Sequence, residues 1–452
     1  MRAPPRGRRD GRRMSEEVAD KLLQAIGRLA AMREACARDP ARDFLRERKL
    51  GLARLLLLLV TWGRDTVAAE LARLAGWDGE APSPSALAQQ WGKLSDRAMP
   101  LLLETFLSMF GQRPFLGRYR LLAVDGTEVQ LLPGTGGDRC RVRNGHGGRS
   151  HWELHATCLF DLVRRTFEDA VFQGGAEEDE PRALCELADG LARGGGGGLV
   201  PLVLADRGFC TWNVVCHLLD AGASFCLRAK DSWAGALLRG SMPDGAFDLT
   251  VVRCLTRSSS RAARTRPGDP WLYRELLGQA ALDALPAGSR GELWVRLRVV
   301  RLRLPGGEWL NLVTDLPRCE FGAADLAELY AMRWAEETAF LHLKHAVGAA
   351  DAPRTRDYGR AVQEVLGRLV LYDACSLGTS GVPDPAPGPR HARATDRADA
   401  FKAFADMLRS MVRRDAHDVE AFASRRSHSV RPGRGHPRRR RLRSPPRSCC
   451  RH

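Results

Sequence analysis

After Glu16 the apolar residues Leu22, Leu23, Ile26, Leu29 and Ala30 recur at helical spacing and predict an amphipathic helix. A second helix is expected from Asp43 through the cluster Leu55 to Val60. The stretch SPSALAQQWGKLSDRAMPLLLETFLSMFG then reads as two more helices joined at Leu94-Ser95-Asp96, with Ser95 as the N-cap. Helical character thus covers 14–115, following a basic arm at 1–13. At Tyr119 the pattern changes to strand. RLLAVDG is an apolar run that ends on an acid and a glycine, and WELHATCLFDL and RRTFEDAVFQ follow as two strands with a tight connection. PRALCELADGLARG is a helix entered through Pro181. Gly194 to Gly198 lead from it into the buried strand LVPLVLADRGF, which also ends on an acid. A helix at TWNVVCHLLDAG and a strand at ASFCLRAK complete the run.

Strand, strand, strand, helix, strand, helix, strand is the element order of a ribonuclease H-like core, an α/β fold with a mixed sheet and flanking helices. Residues 116–230 form its first part. Residues 231–318 read as a β-rich insertion, interrupted by the polar loop Arg257 to Asp269. Within LWVRLRVVRLRL, Val295, Leu297 and Val299 alternate with Arg296 and Arg298. The phase then flips, so that Val300, Leu302 and Leu304 alternate with Arg301 and Arg303, and a bulge near Val299 and Val300 is expected to reconcile the two. Four arginines in a row on one sheet surface either form a solvated face or track a phosphate backbone, and the neighbouring motifs favour the second. Helical character returns over 319–375 with a break near Pro353. Residues 376–452 are rich in Pro, Gly, Ser and Arg and are expected to be mostly disordered, apart from a helix-like piece around Ala400 to Val412.

A chain of 452 residues has material for two or three units and a substantial core. No apolar run approaches the roughly 20 residues a bilayer demands. The N-terminus carries no signal-like apolar region, so a cytoplasmic location is expected. The 12 cysteines include no CxxC pair, and Cys158, Cys216 and Cys226 sit in apolar runs where a reduced thiol acts as a small hydrophobe. The net charge is +16, and its excess lies in Arg-rich termini, with the intervening body neutral. Such arms bind nucleic acid through phosphates. The N-terminal helices are either a generic bundle or a helix-turn-helix module for DNA.

Asp125 and Asp206 each stand where an apolar strand is expected to end. Adjacent strand ends would bring the two carboxylates to one rim of the sheet. Paired carboxylates repel unless a cation lies between them, and Mg²⁺ or Mn²⁺ meets that need. Either acid alone is equally a turn cap. In ELYAMRWAEETAFLHLKHAVG, however, Tyr330, Arg333, Glu337 and Lys344 fall within a stripe about 60° wide on a continuous helix. Leu329, Met332, Phe340, Leu343 and Val347 form an adjacent apolar stripe that would dock this helix on the sheet. Arg333 and Glu337 are also a favourable i,i+4 pair, which explains that pair without explaining the alignment of four.

DGT at Asp125 to Thr127, DRGF at Asp206 to Phe209, and Y-x2-R-x3-E-x6-K at Tyr330 to Lys344 together resemble the insertion-sequence-four family of bacterial DDE transposases. The likeness extends through RDFLRERKL, the β-rich insertion and the basic tail RPGRGHPRRRR. The resemblance implies cut-and-paste transposition with two catalytic metal ions, Mg²⁺ or Mn²⁺, and a hairpin end that is later reopened. By position, Asp125, Asp206 and Glu337 become the metal-binding triad, while Tyr330, Arg333 and Lys344 hold phosphates near the cleaved terminus. Trp334 and Trp309 resemble aromatics that stack on a flipped base, with core packing an equal reading of Trp309. The implied partners are double-stranded DNA, as terminal inverted repeats and target, and a second copy of the chain in a homodimer. The sequence departs from the family at Glu336, where an apolar residue is usual. The competing readings are a metal-dependent nuclease or resolvase on the same fold and a catalytically inactive DNA-binding protein.

Overall fold

The computed structural model describes residues 7–46, 48–63, 65–75, 81–143, 150–193, 198–238, 242–256, 265–266, 269–276, 292–348, 351–382, 393–411 and 427–429. Six helices come first: α1 (Gly7–Ala31), α2 (Arg33–Cys36), α3 (Leu52–Thr61), α4 (Val67–Leu74), α5 (Pro84–Trp91) and α6 (Ala98–Ser108). The helix expected from Asp43 starts only at Leu52, behind Gly51, and Asp43 lies in a turn. Ser95 does not cap α6. Its hydroxyl donates to the Ala35 carbonyl, and the cap position falls to Arg97. Ser83 instead caps α5, accepting from the Ala86 amide ahead of Pro84 in the first turn.

The sheet follows as β1 (Tyr119–Gln130), β2 (Arg141–Val142), β3 (His151–Asp161) and β4 (Thr166–Gly174), then α7 (Glu180–Arg193), β5 (Val200–Ala205), α8 (Trp212–Asp220), β6 (Ser224–Arg228) and α9 (Asp231–Leu237). The strand and helix order read from the sequence is thus recovered, with the short β2 added. β1 lies between β3, antiparallel, and β5, parallel, and β6 continues the parallel side. β4 pairs with the other edge of β3. This mixed sheet with helices on its faces is the ribonuclease H-like arrangement. The insertion supplies β7 (Phe247–Thr256), β8 (Thr265–Arg266), β9 (Asp269–Leu276), β10 (Glu292–Arg303) and β11 (Trp309–Thr314), and β11 pairs with β6, so that one sheet of eleven described strands results. The loop 257–264 lies outside the described residues.

Strand alternation divides the core in two. Leu121, Ala123, Leu202 and Leu204 face the first six helices together with α10 (Ala323–Ala331), α11 (Trp334–His345), α12 (Tyr358–Gly378) and, beyond β12 (Arg393–Thr395), α13 (Arg397–Met411). Leu122, Val124, Val203 and Ala205 face α7, α8 and α9. The same geometry corrects the expected bulge. β10 pairs in unbroken register with β7 and with β11, and its phase flip marks a change of covered face. Val295, Leu297 and Val299 enter the α7–α9 core, whereas Val300 and Leu302 enter the other. α13 realises the helix expected around Ala400, with Phe401 and Phe404 buried, and Ser427–Ser429 forms β13 against β12. The rest of the predicted basic tail, 412–426 and 430–452, and the first six residues of the basic arm lie outside the described residues. No described helix is long and apolar enough to cross a membrane. The ten described cysteines are free thiols, nine of them buried, in line with a core role.

α12 is the mast of the helical layer, with every residue from Val365 to Gly378 buried. Gly367 sits where α12 meets α3, and a Cβ there would collide with the Leu59 backbone carbonyl. Gly367→Ala gains about 1 kcal/mol of helix propensity, yet overpacking against backbone costs about 1–3 kcal/mol. The expected outcome in urea denaturation is a net loss of stability; a stabilised variant would show that the two helices are not in backbone contact.

Candidate active site

Parallel pairing of β1 and β5 runs from Tyr119↔Val200 to Val124↔Ala205 and stops there. The next residues on the two strands are Asp125 and Asp206, so the end of one ladder delivers both acids at one level. Both continue the alternation of Ala123 and Leu204 and therefore face the helical layer. Only Asp206 lies at a strand terminus. β1 continues through Asp125 to Gln130, held by β3 alone, which corrects the expectation that the strand ends on the acid.

The third acid arrives on a broken helix. α10 ends at Ala331, Met332 and Arg333 form a tightened turn with i→i+3 bonds, and α11 starts at Trp334. Tyr330, Arg333 and Glu337 nevertheless converge, because both turn residues keep right-handed helical φ and ψ. Arg333 donates from Nη1 to Asp125 Oδ2 at 3.0 Å and from Nη2 to Glu337 Oε1 at 3.0 Å. The Tyr330 hydroxyl donates to Asp206 Oδ1 at 3.1 Å, and Arg228 Nη1 approaches the same oxygen at 3.5 Å. The Arg333 side chain is 6 % exposed, and its guanidinium carbon lies 5.8 Å from the Tyr330 ring centroid. Asp125, Asp206 and Glu337 are thus gathered around one phenol and one guanidinium.

Electrostatics separates the two strand acids. Burial pushes the Asp125 carboxyl up; the Arg333 charge and the Gly126 amide oppose this, and Glu180 and Glu337 add to it. For Asp206 burial acts in the same direction. The Arg207 backbone amide, the Arg333 and Arg228 charges and the Tyr330 hydroxyl outweigh it, so this acid ends below the usual carboxylate range. Burial alone would lower the Arg333 pKa, but Tyr330, Asp125, Asp206 and Glu337 raise it, and the guanidinium stays charged. Three carboxylates are a hard oxygen donor set of the chemistry a divalent metal ion takes, but with Arg333 bonded between Asp125 and Glu337 their ligand atoms do not all lie within 4.8 Å of one another.

The remaining expected residues divide. Lys344 is half-buried on α11, about 10 Å along the helix from Glu337. Trp334 is 61 % exposed beside Arg333. Trp309 is also on the surface rather than in the core, with the Arg301 guanidinium 4.7 Å from its ring centroid and that of Arg303 at 6.0 Å. Arg296 is exposed. Arg298 is not: it is 4 % exposed, donates twice to Asp248 at 2.9 and 2.7 Å, and donates to the Leu316 and Phe321 carbonyls. Strand alternation also puts Arg296 and Arg298 on one face and Arg301 and Arg303 on the other, so the expected single row of four does not exist. Of the expected docking stripe, Leu329, Phe340, Leu343 and Val347 are buried, but Met332, in the turn, is 38 % exposed.

The profile of one protein family, the transposase DDE domain, matches residues 116–373, more than half of the chain and all three acids. The chain belongs to the DDE transposase family. It is therefore a DNA transposition enzyme, cutting and joining DNA strands. Among solved structures, the chain is similar to one described as the cryo-EM structure of the piggyBac transposase synaptic complex with hairpin DNA. Identity is 9 % and the TM-score 0.43, over 88 % of this chain and 78 % of that one. No curated protein matches.

A DDE transposase with Glu336 beside its third acid carries a stability cost there. Glu336 is fully buried, and neither carboxylate oxygen makes a hydrogen bond of normal geometry. Burial first, and the nearby Asp125 charge second, push its carboxyl well above the ordinary value of 4.5, and the Arg333 charge and the Asp125 backbone amide offset this only in part. The folded state thus holds a proton that the unfolded chain releases, so stability falls as pH rises above about 4.5. Glu336→Met is expected to stabilise the protein by about 1–3 kcal/mol near neutrality and by less at pH 4. Urea denaturation at the two pH values measures this; a destabilised variant would mean that the carboxylate has a partner.

Proposed function

We propose that this transposase is of the insertion-sequence-four type and moves DNA by cut-and-paste, with Asp125, Asp206 and Glu337 as its metal-binding triad. The observation that carries this reading is the convergence of these three acids, from two neighbouring strands and a distant helix, on Arg333 and Tyr330. A structural ion pair needs one acid for one arginine, and here the local negative charge exceeds the positive. Bound divalent metal, two ions of Mg²⁺ or Mn²⁺ in this reading, supplies Lewis-acid activation of a water or 3′-hydroxyl and stabilises the departing oxygen.

The chain's own groups do the rest. Asp206, kept ionised by its donors, is a ready ligand at neutral pH, whereas Asp125 depends on neighbouring positive charge to ionise. Arg333 and Tyr330 hold the acids in register and are placed to take phosphate oxygens in charge-assisted bonds once the acids have another cation. Lys344, about 10 Å further along α11, is in this reading a phosphate contact next to the acids. The exposed indole of Trp334 beside the triad suits stacking on an unpaired base, which supports a hairpin intermediate. On the insertion, Arg301 and Arg303 around Trp309 offer a mixed cationic and aromatic contact for DNA, and Arg296 adds charge on the opposite face. Arg298 takes no part. A cleft of about 300 Å³ between the turn segment that follows α2 and the C-terminal end of α5, lined by Arg42, Arg46, Arg48 and Lys93, supports phosphate binding by the helical region over 14–115. In this reading the partners are terminal inverted repeats and target DNA, bound by a homodimer, in the cytoplasm of a bacterium and on its nucleoid.

The test is a nicking and strand-transfer assay on DNA carrying the inverted repeats that flank the gene. Asp125→Asn, Asp206→Asn and Glu337→Gln are each expected to lower Mg²⁺-dependent nicking by about 10³-fold, the equivalent of about 4 kcal/mol in the barrier, while salt-sensitive DNA binding persists. Joined product from a 3′-hydroxyl end separates transposition from simple cleavage. Full activity in any of the three variants would remove that acid from the triad.

A further inference from the structure

Beside the triad lies a second group of ligand-type side chains that no motif marks. His155, on β3 opposite Glu128, is 4 % exposed. Glu178, in the turn before α7, places Oε1 3.5 Å from its Nδ1, and Glu180, the first residue of α7, places Oε1 3.3 Å from its Nε2. Neither ring nitrogen makes a hydrogen bond of normal geometry. A buried imidazole whose two nitrogens have only these long carboxylate contacts is costly as a neutral ring. One ligand atom from each of the three residues can be chosen so that all lie within 4.8 Å of one another, and among the described residues no other set of three or more His, Cys, Asp or Glu does this.

We propose that His155, Glu178 and Glu180 form a divalent-cation site separate from the Asp125, Asp206 and Glu337 triad. One imidazole nitrogen with two carboxylate oxygens suits the borderline ion Zn²⁺ best and also admits Mn²⁺, whereas Mg²⁺ prefers oxygen alone. The charge balances, because a neutral imidazole and two carboxylates carry two negative charges. The partial exposure of Glu178 and Glu180, 42 % and 27 % of their side chains, leaves an entry path and room for water ligands. The site is built against the catalytic strand itself: a side chain at Gly126, the residue after Asp125, would collide with both Glu180 and His155. A Cβ at Gly208, two residues after Asp206, would lie 3.5 Å from Glu180 Oε2. A cation held here would cancel excess negative charge next to Asp125 without using any of the three triad acids. The competing arrangement is an imidazolium ion clamped between two glutamates with no metal, since the glutamates outweigh burial and raise the His155 pKa.

The experiment uses the full chain carrying Asp125→Asn, Asp206→Asn and Glu337→Gln, which removes the triad, with Mn²⁺ as probe and electron paramagnetic resonance as readout. One Mn²⁺ per chain is expected to remain bound, with a ¹⁴N coupling from imidazole. Adding Glu178→Gln and Glu180→Gln, at partly exposed positions that leave the fold intact, is expected to weaken this binding at least tenfold, and His155→Gln to abolish the nitrogen coupling. No retained ion, retention unaffected by the two glutamine substitutions, or a bound ion without ¹⁴N coupling would each overturn the site in favour of the metal-free clamp. Failure of the triad assignment shows separately, as an unchanged Mn²⁺ count on passing from the wild-type chain to the triple variant.

Discussion

Carboxylates do not assemble in a half-buried corner of a protein without positive charge, and Arg333 is the charge around which this molecule is arranged. Its guanidinium, 208 residues along the sequence from Asp125, joins that acid to Glu337 and, with Tyr330, keeps Asp206 within the same field. The arrangement is held from two sides. Parallel pairing of β1 with β5 fixes the level of the two aspartates, and Leu329, Phe340 and Leu343 seat α10 and α11 on the sheet. If either were displaced by a few ångströms, the desolvated guanidinium would lose partners it needs, since an unpaired buried charge costs several kcal/mol. The acids and the arginine thus stabilise one another in a fixed mutual geometry.

Much of this was readable from residues because each step used a local pattern. Apolar runs that end on an acid mark β1 and β5, short strand-like stretches mark β3, β4 and β6, and helical spacing places Tyr330, Arg333 and Glu337 together even though the helix breaks between them. A turn of two residues that keeps helical φ and ψ hardly changes the angular phase, so an argument built on 100° per residue survives a break in hydrogen bonding. The errors came where periodicity says nothing about neighbours. The β10 phase flip was read as a bulge because one covered face was assumed for the whole strand. In fact the strand has a different helical layer over each half, and the residues covered switch without any extra residue. Arg298 was misplaced for the same reason. Its position on β10 gives it a face but not the presence of Asp248 on β7 and two free carbonyls within reach, and those partners turn an apparent surface cation into a buried tie.

His155, Glu178 and Glu180 were invisible to motif reading for a different cause. Their meeting depends on the β3 register, in which His155 lies opposite Glu128, and on the path of the turn that returns the chain from β4 to α7. Neither is encoded in a local pattern. His155 looks like one polar position in a half-buried strand, and the two glutamates look like an acidic helix start, which is ordinary. Only the burial of the imidazole, with a glutamate oxygen facing each nitrogen, distinguishes the group from a solvated acidic turn.

The glycine after Asp125 connects these two features. In the sequence DGT it reads as the end of a strand, since glycine commonly marks a turn. Yet β1 runs on through Gly126, and this residue is not among those with positive φ. What it needs is space: His155 and Glu180 stand where a Cβ would be. The glycine therefore does not bend the chain away from the acid. It lets a second row of polar side chains approach the backbone that carries Asp125, so that the strand bearing the first acid has the Arg333 cluster on one side of its course and an imidazole with two carboxylates on the other. A larger residue at this position would force the ends of the Glu180 and His155 side chains aside. Because β1 beyond Val124 is supported by β3 alone, the segment that carries Asp125 has no second strand there to brace it against such crowding.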